Sequence, residues 1–227
     1  MPAFGKVQES PAESLGTVAD GATVLVGGWG GIGVPTTLIA ELARRRPRDL
    51  VVVSNNCGMG RPGDIGELFG IGAVAKVIAT FPSNPAATQF RERYDAGEVA
   101  LELSPQGTLA ERLRAGGAGL GGFYTPTGAG TLLAEGKETR VFDGIEQVFE
   151  TSITADLAVI RAHEADELGN LRFRFAARSF GPLMAMAARR TVVEVERILP
   201  AGDIAPDDVH LPGIFVDSII ETGEVDE

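Results

Sequence analysis

The sequence predicts an α/β protein whose mostly parallel, mixed sheet is flanked by helices. Two observations carry this. Short apolar runs of strand length recur at 24–26, 50–53, 74–79 and 99–103, as in strands buried on both faces. Helical segments alternate with them at 35–46, 88–94 and from 109 to 114, and that alternation joins parallel neighbours through crossovers.

Taken in order, Val24, Leu25 and Val26 form the first buried strand, and a glycine-rich loop follows at 27–33. Pro35 suits a first helical turn, and Leu38, Ile39 and Leu42 share one face of the helix it opens. The second strand, 50–53, runs into a turn-rich stretch, Ser54-Asn55-Asn56-Cys57-Gly58. The second half changes character. Residues 139–142 and 145–149 flank Asp143-Gly144, a hairpin signal. A buried strand is expected at 155–160, a half-exposed one at 171–175, a helix at 181–190, a strand at 191–195 and a last short strand at 214–216. No Pro/Ser linker separates the halves, so residues 1–227 are read as a single domain.

Composition narrows the function. The 227 residues are 44% hydrophobic, enough for a sizeable core. A net charge of -11 argues against a nucleic-acid surface, which needs clustered cations. No apolar run reaches membrane-spanning length, and the N-terminal stretch has no signal-peptide core. A single cysteine, Cys57, fits a reducing cytoplasm. No histidine or cysteine cluster suggests a metal.

Gly28-Trp29-Gly30-Gly31-Ile32-Gly33 satisfies G-x-G-x-x-G between a strand and a helix, the context of a dinucleotide site. That site also expects an acidic residue at the end of the second strand, where this chain has Ser54-Asn55-Asn56. A nicotinamide dehydrogenase is therefore disfavoured. Two readings remain for the loop: tight packing and a turn, or close backbone approach to a ligand. The second is favoured because the glycines exceed what a turn needs.

A wider set of motifs resembles the A subunits of family I CoA-transferases. The first is Asp20-Gly21-Ala22-Thr23-Val24-Leu25-Val26-Gly27-Gly28-Trp29 with Gly33-Val34-Pro35, with Trp29 where the family normally has Phe. Ser54-Asn55-Asn56, Pro105-Gln106-Gly107-Thr108-Leu109 and Phe123-Tyr124-Thr125-Pro126-Thr127-Gly128 also match, as do Gly169-Asn170-Leu171 and Pro212-Gly213-Ile214-Phe215-Val216. The resemblance implies the family I fold and a hetero-oligomer, dimer or tetramer, of A and B chains. It implies transfer of CoA from succinyl-CoA to a 3-oxoacid, with CoA a substrate and no resident cofactor. The nucleophile would be a glutamate of the B chain, in a Glu-x-Gly context, usually Glu-Asn-Gly. Gln106 would donate to the oxyanion, with Asn55 and Asn56 close by, and Gly27, Gly28, Trp29, Gly30, Gly31 and Gly33 would approach the substrates. This chain has no Glu-Asn dipeptide. Its nearest candidate, Glu135 in Ala-Glu-Gly-Lys, reads better as a turn carboxylate paired with Lys137 or capping a helix.

Thr80-Phe81-Pro82-Ser83, Ala177-Arg178-Ser179-Phe180-Gly181-Pro182 and Met184-Ala185-Met186-Ala187-Ala188 resemble the 3-oxoadipate-type subunits more than the acetoacetate type. An acetoacetate-type enzyme, a hydrolase or lyase relative on the same scaffold, and a non-catalytic sugar-phosphate sensor are the alternatives. Arg178 is a candidate for a second substrate carboxylate. His163 and His210 are expected to be solvent-facing or capping, Cys57 to fill a tight loop, and Arg44-Arg45-Arg46 to form a solvated helix end.

Overall fold

The computed structural model describes residues 5–223. An eight-stranded sheet runs in the order β11-β10-β8-β1-β2-β3-β4, with β9 paired to β8. Its strands are β1 (Thr23–Val26), β2 (Leu50–Asn56), β3 (Val74–Phe81), β4 (Ala100–Leu103), β8 (Leu157–Asp166), β9 (Leu171–Arg172), β10 (Thr191–Leu199) and β11 (Ser218–Glu221). All neighbouring pairs are parallel except β8 with β9. The mostly parallel mixed sheet expected from the apolar runs is present.

The helices cover both faces. Leu38, Ile39 and Leu42 of α2 (Thr36–Arg45) are fully buried in one core, with α1 (Pro11–Leu15), α3 (Gly66–Gly70) and α4 (Thr88–Asp95) on the same face. Leu109 and Leu113 of α5 (Gln106–Gly117) and Met184 of α6 (Gly181–Ala187) fill the other core. Inward residues alternate strictly along the strands: Val24 and Val26 face the first core, Leu25 the second.

A separate three-stranded antiparallel sheet, β5-β7-β6, joins β5 (Gly122–Thr125), β6 (Thr139–Phe142) and β7 (Ile145–Thr151). The expected hairpin forms around Asp143 (φ 50) and Gly144 (φ 79), both in the positive-φ conformation a two-residue turn needs. The third strand, β5, is too short to show in the sequence.

Several boundaries differ from expectation. Strand β2 continues through Asn56, so the asparagines end a strand instead of forming a turn. Helix α5 begins at Gln106, and α6 stops at Ala187. The buried strand expected at 155–160 runs from Leu157 to Asp166 because β10 pairs with it along its whole length. The alternation at 171–175 breaks at Phe175, which has φ 51 and is 79% exposed. No strand forms at 214–216: Gly213–Phe215 is a 3₁₀ turn, and the last strand is β11. A three-residue apolar run has no period that separates the two.

Candidate active site

The strand order sets where a site can form. The chain steps outward from β1 to β4, then returns to pair β8 against the other side of β1. Open parallel sheets take ligands at the carboxyl edge where the order reverses. The glycine loop leaves β1 at that point. Gly27 N–H donates to Val159 O on β8 at 2.9 Å, and a Cβ on Gly27 would come within 3.3 Å of Ile160 Cα.

Within the loop Trp29 and Ile32 exchange both backbone hydrogen bonds, at 2.9 and 3.0 Å, around Gly30 and Gly31. Gly30, at φ 62, takes the first central position, which requires positive φ in a II′ turn. Gly33 also has positive φ (67), and a Cβ there would lie 2.7 Å from Ala177 Cα. Gly28 packs against Val34, whose Cγ2 would be 2.8 Å from a Cβ. Gly31 gives room to the guanidinium of Arg61, 2.7 Å from the position a Cβ would take. The Trp29 ring, 38% exposed, lies 6.1 Å from Phe180.

The end of β2 holds this turn. Asn56 Nδ2 donates to Gly30 O at 3.0 Å, and Gly30 N–H donates to Asn55 Oδ1 at 3.3 Å. Asn55 Nδ2 donates to Thr80 Oγ1 at 2.9 Å, while Thr80 Oγ1 donates to Asn55 O at 2.8 Å. Asn56 Oδ1 takes the Gly58 N–H at 2.9 Å. A hollow of about 20 Å³, lined by Gly28, Gly30, Asn55, Asn56 and Asp64 among others, separates the turn from β2. That is room for about one water.

Helices α2 and α5 both begin along this edge, and they differ. At α2 the first N–H groups are taken: Thr36 donates to Val34 O, and Thr37 and Leu38 donate to Glu194 Oε2 at 2.9 and 3.1 Å. Glu194, on β10, is fully buried and also pairs with Arg161 Nη1 at 2.9 Å. A resident carboxylate therefore sits where a dinucleotide would place its pyrophosphate, which removes the dinucleotide reading on physical grounds. Helix α5 has no such cap. Gln106 opens it, exposed, and the buried hydroxyls of Ser104 and Thr108 beside it have no hydrogen-bond partner among the described residues.

The structure thus joins Gly27 to Gly33 with Asn55 and Asn56. Gln106 lies on the same edge beyond β4, and no contact links it to the turn among the described residues. The sequence reading missed Glu194, whose signal was a carboxylate inside an apolar strand, and gave Thr80 no role in orienting the Asn55 amide.

The other residues singled out have plain roles. His163 Nδ1 meets Glu196 at 2.8 Å, and His210 Nδ1 accepts the Phe173 N–H at 3.0 Å. Burial, then the Arg178 charge, holds His210 below the usual histidine range. Burial pushes the Cys57 thiol up to about 12, so it carries no thiolate near neutrality. Lys137 pairs with Glu150 at 2.7 Å, not with Glu135. Arg44 and Arg45 pair with Glu41, and Arg45 also donates to Ala12 O, so that helix end is tied down more than expected.

A parallel sheet reversing at β1, with a glycine turn clamped by two asparagines over the reversal, is the architecture of an open-sheet α/β protein that takes its ligands at the carboxyl edge. The chain belongs to the Coenzyme A transferase family, whose sequence model matches residues 8–222. It is 46% identical over 217 residues to the A subunit of the 3-oxoadipate CoA-transferase of Pseudomonas putida, covering 96% of this chain and 94% of that one. It is 48% identical to the A subunit of the succinyl-CoA:3-ketoacid coenzyme A transferase of Helicobacter pylori, covering 95% and 92%. An acyl-CoA transferase from Escherichia coli O157:H7, solved as a thioester complex with CoA, superposes with a TM-score of 0.82 at 25% identity. That match covers 95% of this chain but 47% of the other, so this chain spans about half the length of that enzyme.

Proposed function

We propose that this chain is the A subunit of a two-chain CoA-transferase that moves CoA from succinyl-CoA to a 3-oxoacid, with 3-oxoadipate preferred over acetoacetate. The B chain supplies a glutamate that attacks the thioester and expels CoA as a thiolate, leaving an acyl-glutamyl anhydride. The thiolate attacks the glutamyl carbonyl, releases the first carboxylate and forms a glutamyl thioester. The 3-oxoacid then takes over the CoA by the reverse pair of steps. Each tetrahedral intermediate carries an oxyanion, and the Gln106 amide at the uncapped start of α5 donates to it. CoA enters and leaves as substrate, and the reaction belongs to the cytoplasm.

The observation that carries the reading is the state of the carboxylates around the turn. Asp64 accepts from the N–H groups of Met59, Arg61 and Gly66. Glu194 accepts from Thr37, Leu38 and Arg161. Both are spent on structure, which supports a nucleophile supplied by another chain. The substrate preference rests on a second observation. The stretches that resemble 3-oxoadipate-type subunits meet the site from two sides, Thr80 through Asn55, and Ala177 with Phe180 through Gly33 and Trp29.

The test is succinyl-CoA turnover by the purified chain, then by the chain together with its B partner, with 3-oxoadipate and acetoacetate competing at equal concentration. Activity is expected only from the pair, with the larger kcat/KM for 3-oxoadipate. Turnover by the chain alone would overturn the division of labour, and equal or reversed ratios would overturn the acceptor.

A further inference from the structure

We propose that Arg61 is the anion receptor of this site and takes the free carboxylate at the far end of a dicarboxylic acyl group, such as succinyl. The inference rests on the transferase reading above and adds the residue that selects the substrate class.

The guanidinium of Arg61 lies against the backbone of Gly31. A Cβ on Gly31 would come 2.7 Å from Nη1 and 3.0 Å from Cζ. Gly31 does not have the positive φ of its neighbour Gly30. What its missing side chain provides is the space into which the guanidinium fits. The base of Arg61 is rigid: Asp64 Oδ2 takes the N–H groups of Met59 at 2.7 Å and Arg61 at 3.0 Å, and Glu67 takes that of Gly63 at 2.7 Å. Arg61 is exposed, and no carboxylate pairs with its head among the described residues.

Several other cations near this edge are committed: Arg161 pairs with Glu194, Arg172 and Arg197 with Glu164, and Arg174 with Glu196. Arg178 is exposed too, but it lies beyond Ala177 on the opposite flank of the loop. In a chain of net charge -11, an uncompensated guanidinium held against the one turn that both asparagines clamp is a local anion site. Its planar fork of donors matches a carboxylate.

Two donors separate the possibilities in the A/B complex. Succinyl-CoA carries a free acyl carboxylate and acetoacetyl-CoA does not, while both carry the same CoA phosphates. Arg61→Ala is expected to lower kcat/KM for succinyl-CoA about 10–100-fold, chiefly through KM, as for a lost charged hydrogen bond. The acetoacetyl-CoA value should stay within about twofold, and Arg61→Lys should recover part of the loss. Equal losses with both donors would assign Arg61 to a CoA phosphate and overturn the proposal. So would no loss with either, or the same selective loss in Arg178→Ala instead. A binding readout keeps this independent of turnover. Trp29, the single tryptophan of the chain, lies two residues before Gly31. Succinate, but not acetate, should change its fluorescence saturably in the full chain, and Arg61→Ala should abolish that response. If that holds in a complex without transferase activity, the anion site stands and the transferase reading fails. If succinate gives no Arg61-dependent response, the anion site fails.

Discussion

At the scale of single residues, chemistry depends on which polar groups remain unspent. Gln106 starts a helix whose neighbouring Ser104 and Thr108 hydroxyls are buried and unpartnered among the described residues. In the proposed mechanism, an amide there would meet an oxyanion without first breaking another contact. Gln106→Ala should lower kcat of the A/B complex by about 10²–10³, with a small change in KM, as when an oxyanion donor is lost. A mutant within twofold of wild type would remove Gln106 from the reaction. Cys57 is the opposite case. It is fully buried and its thiol titrates near 12, so the native chain should resist iodoacetamide at pH 8 and react only after unfolding. Mass spectrometry of alkylated native and urea-unfolded samples checks this. Rapid native alkylation would reopen a chemical role beside the asparagines.

At the scale of elements, the start of α2 decides what the glycine loop can do. Its N–H groups bond to Glu194, which reaches them from a strand on the far side of β1 and β8. The same carboxylate neutralises Arg161, 3% exposed, in the middle of the sheet. Removing one member of a buried pair costs about 3–5 kcal/mol when the other charge is left uncompensated. Arg161 keeps Glu196 at 3.8 Å, so Glu194→Gln should lower the urea midpoint by an amount at the lower end of that range, with an unchanged slope. A change below about 1 kcal/mol would show that α2 is held by its apolar face alone. Trp29 and Phe180 make a further inter-element contact of the site, joining the glycine turn to the start of α6.

At the scale of the whole molecule, charge sets the acid limit. Burial alone would raise the Glu102 pKa, but hydrogen bonds from Lys76 and Arg112 outweigh it and bring it below the ordinary value of 4.5. Burial likewise works against the bonds from Arg197 and Arg172 at Glu164, and the bonds again prevail. A carboxylate with a depressed folded pKa binds its proton first in the unfolded state. Its stabilisation is present above 4.5 and is lost as pH falls through the lower folded value. The urea midpoint should therefore drop as pH falls below 4.5, and Glu102→Gln should flatten that drop. An identical profile in the mutant would place the acid sensitivity elsewhere. Assembly belongs to this scale too. The chain spans about half of the E. coli enzyme it resembles, and light scattering of co-expressed A and B chains should show a hetero-oligomer. A persistent monomer beside free B would count against the two-chain proposal.

The sequence by itself determined most of the strands and helices of the main sheet, its parallel character, the glycine turn and the family, because each is written locally. Apolar runs report burial, glycines report where backbone must turn or approach, and the motifs lie within short stretches. Asn55 and Asn56 were legible for the same reason. Only the tertiary structure decided which helix start is open, what orients Asn55, which carboxylates are spent and where Arg61 rests. Glu194 caps a helix 157 positions away, and Thr80 reaches Asn55 from the neighbouring strand. Periodicity says that such a residue faces inward, but the partner that satisfies a buried polar group is set by strand order and register, which no local stretch contains.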